Sequence, residues 1–331
     1  MPFNRKKFVK WLCTIPVVAC AAVAGIAIAA TSANTYPDKP IRLIVSYPAG
    51  GSVDVAARIL QEPLSKGLKQ SVVIENKGGA GGTIGTAQVV NAAPDGYTLL
   101  LTLSSHTINP AIYAALPFDT EKDLAPVSMV ASAPQVLVAN PAFKPSTIPE
   151  LIEFAKAADK PVIYGSAGVG SPSHIAGELF KKLANVKLTH VPYRGGGPAT
   201  VDVLGGQIPL LWVSLPSVTQ YIRNGKLKAL AVSTKDRTPV LPDVPSVAET
   251  VSGFNVDSWY AMFAPAGTPR PIIDKIQKIL AASAADKKVQ DAFLAQGAVV
   301  VGGTPEELDA VVKKEIPAWK ALAKDANIRV D

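Results

Sequence analysis

Cysteine is almost missing from this chain of 331 residues, and both copies, Cys13 and Cys20, fall within the first 20 positions. Once that segment is removed, no disulfide, thiol nucleophile or thiolate metal ligand remains, so stability must come from packing alone. Histidine is scarce as well, limited to His106, His174 and His190. No H-E-x-x-H or G-x-S-x-G occurs, and His174 with Glu178, spaced i, i+4, lacks a third metal ligand. Gly79 and Gly81 are followed by Ile84 where G-x-G-x-x-G needs its third glycine, and G-x-x-x-x-G-K-[ST] is missing. Catalytic, metal and phosphate-cofactor readings therefore have little material, and neither a cofactor nor a metal is expected.

One long apolar run exists, at the start. Arg5, Lys6, Lys7 and Lys10 precede an uncharged stretch over 11–30, and small residues follow. That is the layout of a secretory signal peptide over 1–33, with cleavage after Ala29 or Ala33, the second being preferred. Val17-Val18-Ala19-Cys20 also resembles a lipoprotein-processing site, but the residues after Cys20 are as apolar as those before it, so cleavage is expected in place of a lipid anchor. The expected location is the periplasm, where ATP and nicotinamide cofactors are scarce, and that favours a receptor over an enzyme. The formal charge of +7 includes the four leader cations; without them 29 basic residues face 26 acidic ones, a net +3 too mild for nucleic-acid binding.

The roughly 300 residues that remain exceed one compact core. Short β-rich runs alternate with amphipathic helical stretches, which predicts an α/β chain with largely parallel sheets covered by helices. Strands are expected at 41–46, 72–75, 98–102, 162–165, 210–213, 229–232 and 261–264. Ala56, Ile59, Leu60 and Leu64 recur at helical spacing, with Pro63 expected to bend or shorten that helix. Pro198 and Pro216 stand where first-turn prolines belong, and Gly205 and Gly225 where helices stop. Thr304-Pro305-Glu306-Glu307 forms a capping box that opens a C-terminal helix, which Pro317 is expected to kink or divide. Proline-rich stretches at 134–149 and 239–245 bracket a middle block. They predict one lobe from 36–138 plus 260–331 and another from 139–259, joined by a two-segment hinge.

Four glycine-rich turns, at 48–54, 78–83, 166–171 and 195–199, each read as a link from a strand to a helix. Free N–H groups at a helix start direct a partial positive charge outward, and glycine lets backbone approach a ligand closely, so such turns hold anions without a cationic side chain. With two turns in each lobe, the ligand site is expected in the cleft between them. The alternative for any single turn is an ordinary structural role. Ser52, Thr83, Ser104, Ser105, Ser166, Ser171 and Ser214 offer hydroxyls to a carboxylate, though they equally suit helix capping. Asp54 reads as a first-turn helix acid. Asp202 either accepts from a ligand or faces solvent. Arg194, the cation inside a glycine turn, either meets a second carboxylate or pairs with a nearby acid.

These residues also carry a family resemblance. Tyr36-Pro37-Asp38-Lys39-Pro40-Ile41-Arg42-Leu43-Ile44-Val45, then Pro48-Ala49-Gly50-Gly51 and Asp54, resembles the opening of the Bug family, extracytoplasmic receptors of tripartite tricarboxylate transporters. Glu75-Asn76, Pro94-Asp95-Gly96-Tyr97-Thr98-Leu99-Leu100, Val191-Pro192-Tyr193-Arg194-Gly195 and Leu204-Gly205-Gly206-Gln207 continue it in order, as do the blocks at 225–232 and 241–245. The resemblance implies a two-lobed periplasmic binding-protein fold, type II-like, with two mixed or parallel sheets. It also implies a monomer that closes on a small organic carboxylate and delivers it to a two-subunit membrane permease; a membrane sensor kinase is the alternative client. By resemblance the ligand carboxylate is held around Pro48, Gly50, Gly51, Ser52 and Asp54 and around Ser166, Ala167, Gly168 and Ser171. Gly82, Thr83, Gly196, Gly197, Ala199 and Asp202 complete the pocket, with the ligand's remote end read near Ser104, Ser105 and Ser214. The chain departs from the family pattern at Lys77-Gly78-Gly79, at Pro209 and at Trp212-Val213-Ser214, and Trp212 either lines the pocket or packs in the core.

Overall fold

The computed structural model describes residues 36–325 and residue 329, so the leader over 1–33 and its cleavage site lie outside the described residues. Among the described residues no helix is long and apolar enough to cross a membrane.

Two mixed sheets organise the chain. The first runs β11 (Val299–Val300), β4 (Leu124–Ser132), β10 (Trp259–Pro265), β3 (Thr98–Leu103), β1 (Ile41–Val45), β2 (Val72–Asn76). Within it β1 is parallel to β2 and β3, whereas β10 is antiparallel to β3 and β4. The second runs β7 (Leu188–Pro192), β6 (Val162–Ser166), β8 (Leu210–Ser214), β5 (Gln135–Ala139), β9 (Lys228–Val232), with β6 parallel to β7 and β8 and β5 antiparallel to β8 and β9. The chain leaves the first sheet after β4 and returns to it at β10. The expected crossing at 138 lies inside β5, which belongs wholly to the second sheet.

Strand periodicity explains why both faces are covered. Leu43, Val45, Leu99, Leu101 and Met262 point to one side of the first sheet, where they meet Leu60 and Leu64 of α1 (Ser52–Leu68) and Ile276 of α8 (Arg270–Ala285). The alternate residues Ile44, Leu100 and Phe263 meet Leu308, Val312 and Ile316 of α10 (Pro305–Asp325) on the other. A strand buried on both faces reads as a continuous apolar run, which is why β1 and β3 were legible. The second sheet is packed likewise: Leu137, Leu210 and Trp212 face one side and Val136, Val138 and Val213 the other. Trp212 is fully buried and stacks on Phe254 at 5.8 Å, which makes it a core residue.

The remaining helices are α2 (Thr83–Val90), α3 (Ser105–Ile112), α4 (Ile148–Ala157), α5 (Pro172–Ala184), α6 (Gly196–Leu204), α7 (Thr219–Arg223) and α9 (Lys287–Gln296). Half of each proline expectation is corrected: neither residue cuts its helix short. Pro63 does not shorten α1, which continues to Leu68, and Pro317 does not divide α10. Both helices are fastened along an apolar face to the first sheet, and tertiary burial of that kind outweighs one lost intrahelical bond. The capping box at the start of α10 is formed: Glu307 N–H donates to Thr304 Oγ1 at 3.1 Å and Thr304 N–H to Glu307 Oε2 at 2.8 Å.

Candidate functional site

All four glycine turns meet where the two sheets face each other. Gly195 (φ +132°) has no room for a side chain, because a Cβ there would lie 2.7 Å from Pro48 Cδ. Gly81 (φ +61°) is pressed the same way, its Cβ position falling 2.9 Å from the carbonyl oxygen of Val169. Turn 48–54 thus touches turn 195–199, and turn 78–83 touches turn 166–171. In each case one partner comes from each sheet.

Between the turns lies a cavity of about 230 Å³. Tyr47, Gly79, Ala80, Gly81 and Tyr113 line it from the first sheet's side, and Ala167, Gly168, Val169, Pro192, Tyr193 and Arg194 from the second's. Among the described residues, one cationic residue, the exposed Arg194, and no acidic residue border it. Of the residues singled out from the sequence, Ala167, Gly168 and Arg194 border this space directly. A larger hollow of about 400 Å³ near Glu62 and Lys69 is shallow and far from the turns.

The other singled-out residues build the turns. In turn 48–54, Asp54 is a buried acid in the first turn of α1. Its Oδ2 accepts from Gly50 N–H at 3.0 Å and from Arg58 Nε at 2.9 Å. Burial raises the Asp54 pKa, but the hydrogen bonds from Arg58 and Gly50 outweigh it and hold the carboxyl below its ordinary value. Ser52 is the first residue of α1 and is buried. In turn 78–83, Gly82 N–H donates to Gly79 O at 3.0 Å and Thr83 Oγ1 to Ala80 O at 2.9 Å. Ser105 accepts from Tyr47 Oη at 3.0 Å, and Ser104 N–H donates to Trp259 O at 3.0 Å. Ser214 accepts from Gln135 Nε2 at 2.9 Å.

Turn 166–171 carries the densest network. Gly168 N–H donates to Ser166 Oγ at 3.1 Å, and Ser166 Oγ lies 2.6 Å from His190 Nε2. Ser171 Oγ donates to Gly168 O at 2.6 Å and caps α5 by accepting from His174 N–H at 3.2 Å. Ala167 N–H donates to Ser173 Oγ at 3.0 Å, and Gly170 N–H to His174 Nδ1 at 3.3 Å. The rings of His174 and His190 stack at 4.2 Å. Burial, above all, pushes their pKa values down to about 4 and about 3, so both are neutral at pH 7.

In turn 195–199, Gly196 and Gly197 open α6, whose first-turn N–H groups have no intrahelical acceptor. Ala199 is buried behind them, and Asp202 accepts from Tyr193 Oη at 2.7 Å. Burial and that carboxylate push the Tyr193 pKa up to about 12.

Sequence reasoning missed the phenols as a group. Tyr47 and Tyr193 adjoin glycine turns and had a positional signal. Tyr113 stands at the end of α3 with no turn around it, and only folding brings it to the cavity.

The comparisons with known proteins agree on one family. The model of the tripartite tricarboxylate transporter family receptor matches residues 56–328. Protein BugT of Bordetella pertussis is 39% identical over 312 residues, covering 93% of this chain and 95% of BugT. An R. palustris protein solved with adipate is 31% identical with a TM-score of 0.86, over 89% of this chain and 99% of that one. MatC of Rhodopseudomonas palustris, solved with bound malate, is 32% identical with a TM-score of 0.82, over 86% and 99%. With sequence and overall fold both matching receptors of one kind across most of its length, the chain belongs to the tripartite tricarboxylate transporter receptor family, as its likeness to the Bug proteins implied.

Proposed function

We propose that this chain is a periplasmic receptor that encloses a small organic carboxylate between its two sheets and presents it to a two-subunit membrane permease. The observation that carries the reading is the cavity itself, bordered by backbone from turns of both sheets, with Arg194 as its cation and no acidic side chain. An anion entering it meets turn backbone and Arg194, whose guanidinium can form charge-assisted hydrogen bonds with a carboxylate. At about 230 Å³ the space is smaller than the roughly 300–1,000 Å³ of drug-sized sites, which suits a metabolite of few atoms. The relatives solved with adipate and malate support the same chemical class.

In this reading the sheets move as two lobes that part for entry and close on the ligand. We take the lobe boundaries just before Gln135 and just before Trp259, a division supported by the pairing of β5 within the second sheet and of β10 within the first. The singled-out serines and Asp54 hold the turns in shape, and the ligand touches the turn backbone and Arg194. Titration calorimetry with adipate and malate tests this. We expect binding by the mature protein and a loss of about tenfold or more in Arg194→Ala, which removes one charge-assisted hydrogen bond. Equal affinity in Arg194→Ala, or heat from neither acid, would reject the assignment.

A further inference from the structure

Three phenols border the cavity, and their hydrogen bonds set one apart. Tyr47 donates to Ser105 Oγ at 3.0 Å and Tyr193 to Asp202 Oδ2 at 2.7 Å, so both protons are committed within the protein. Tyr113 is half-buried, borders the same space and donates to no acceptor among the described residues.

Its position is well held. Tyr113 N–H donates to Asn109 O at 3.0 Å, closing the last turn of α3. Asn109 Nδ2 donates to Gly81 O at 3.1 Å, and Thr107 Oγ1 to Glu315 Oε2 at 2.7 Å, so α3 is tied both to the turn that lines the cavity and to α10. A Cβ on Gly81 would lie 3.6 Å from Tyr113 Oη, which puts the hydroxyl directly over that turn. A rigid, uncommitted donor held at the wall of a binding space is a recognition element with its ordering cost already met. Peptide donors and Arg194 suit full negative charges. With the carboxylates matched to these groups, the Tyr113 phenol, which can both donate and accept, is left to pair with a hydroxyl or oxo oxygen elsewhere on the ligand.

Resting on the carboxylate reading, we propose that Tyr113 is a specificity-determining residue: its hydroxyl donates to an oxygen on the ligand's carbon chain, so hydroxy- and oxo-substituted carboxylates are preferred over unsubstituted ones. Because Tyr113 is only half-buried, its hydroxyl can turn to water when the ligand lacks that oxygen, and the preference should be moderate.

The test uses matched pairs differing by one chain hydroxyl, malate against succinate and 2-hydroxyadipate against adipate, measured by calorimetry on the wild type and on Tyr113→Phe, an isosteric change. The wild type should bind the hydroxylated member of its preferred pair about tenfold more tightly. Tyr113→Phe should lose that advantage while binding the unsubstituted member within about twofold of wild type. Tyr47→Phe and Tyr193→Phe, whose protons serve the protein, should leave the ratio unchanged. The proposal fails if the wild type shows no hydroxyl preference, if Tyr113→Phe weakens both members equally, or if either of the other phenol variants collapses the ratio. Binding of none of the four acids overturns the carboxylate reading and this inference with it, whereas binding with an unaltered ratio in Tyr113→Phe overturns the inference alone.

Discussion

Turns 48–54 and 166–171 look alike in sequence, each a glycine-rich link from strand to helix, yet they are held together by different chemistry. The first carries its own anion: Asp54 accepts from Gly50 N–H, so a fixed carboxylate already occupies part of the positive field at the start of α1. The second is held by neutral groups, the hydroxyls of Ser166, Ser171 and Ser173 and the uncharged rings of His174 and His190. It also borders the cavity, through Ala167, Gly168 and Val169. A turn that supplies its own negative charge is less able to attract another. The second turn carries no such charge, and in the proposed reading the first turn holds the scaffold while the second borders the ligand.

Removing the internal anion should have the largest effect. Asp54→Ala leaves Gly50 N–H and Arg58 without their buried acceptor, and denaturant unfolding should show a loss of about 2–3 kcal/mol. Carboxylate affinity, measured on the folded fraction, should change little. A large fall in affinity with stability unchanged would invert the roles of the two turns.

Acid titration should separate them next. Asp54 has a depressed pKa in the folded state, so its contribution is present above the unfolded value of about 3.9 and is lost as pH falls through the folded one. His174 and His190 are depressed to about 4 and about 3, chiefly by burial, against about 6.5 unfolded. Below about pH 6.5 the unfolded chain binds more protons, so this network's stability is complete above that pH and declines toward pH 4 and 3, by up to about 1.4 kcal/mol per pH unit for each ring. His106, fully buried and also lowered to about 4 by burial, titrates in the same window. The informative comparison is therefore wild type against His190→Gln, in which the slope of unfolding midpoint against pH between 6 and 4 should become shallower. An unchanged slope would show that the imidazole does not stay neutral in the fold.

Ser171→Ala should have the smallest effect. It removes the cap of α5 and the bond to Gly168 O, for a loss of about 1 kcal/mol. Because the loosened turn is the one that borders the cavity, carboxylate affinity should fall several-fold in calorimetry, where Asp54→Ala leaves it nearly intact. Retained affinity would mean that the cavity does not depend on this turn's shape.

All seven expected strands exist. Each contains apolar residues bounded by turn residues; β3, β8 and β10 are buried along their full length, whereas β2 is marked by the β-branched residues Val72, Val73 and Ile74. The strands that escaped notice have identifiable reasons. β4 contains Pro126 and small residues that dilute its apolar run, and β5 follows Pro134 within the proline-rich stretch read as a domain crossing. β7 is a half-exposed edge strand ending at Pro192, and β11 has two residues. The glycine turns were equally legible, because their composition is local. Tyr113 was not, since its place at the cavity depends on α3 packing beside Gly81, a partner 32 positions away in the chain.

Alternating apolar residues, helix caps and glycine turns determined from the sequence alone that this is an α/β chain with glycine-rich turns between strands and helices, because those signals act over a few neighbouring residues. Which turn is neutralised by its own carboxylate, which phenol keeps a free proton and where the chain passes between the sheets were decided only by tertiary structure. Each depends on a hydrogen-bond partner or a strand neighbour that the fold brings close in space, and such pairings leave no mark on local composition.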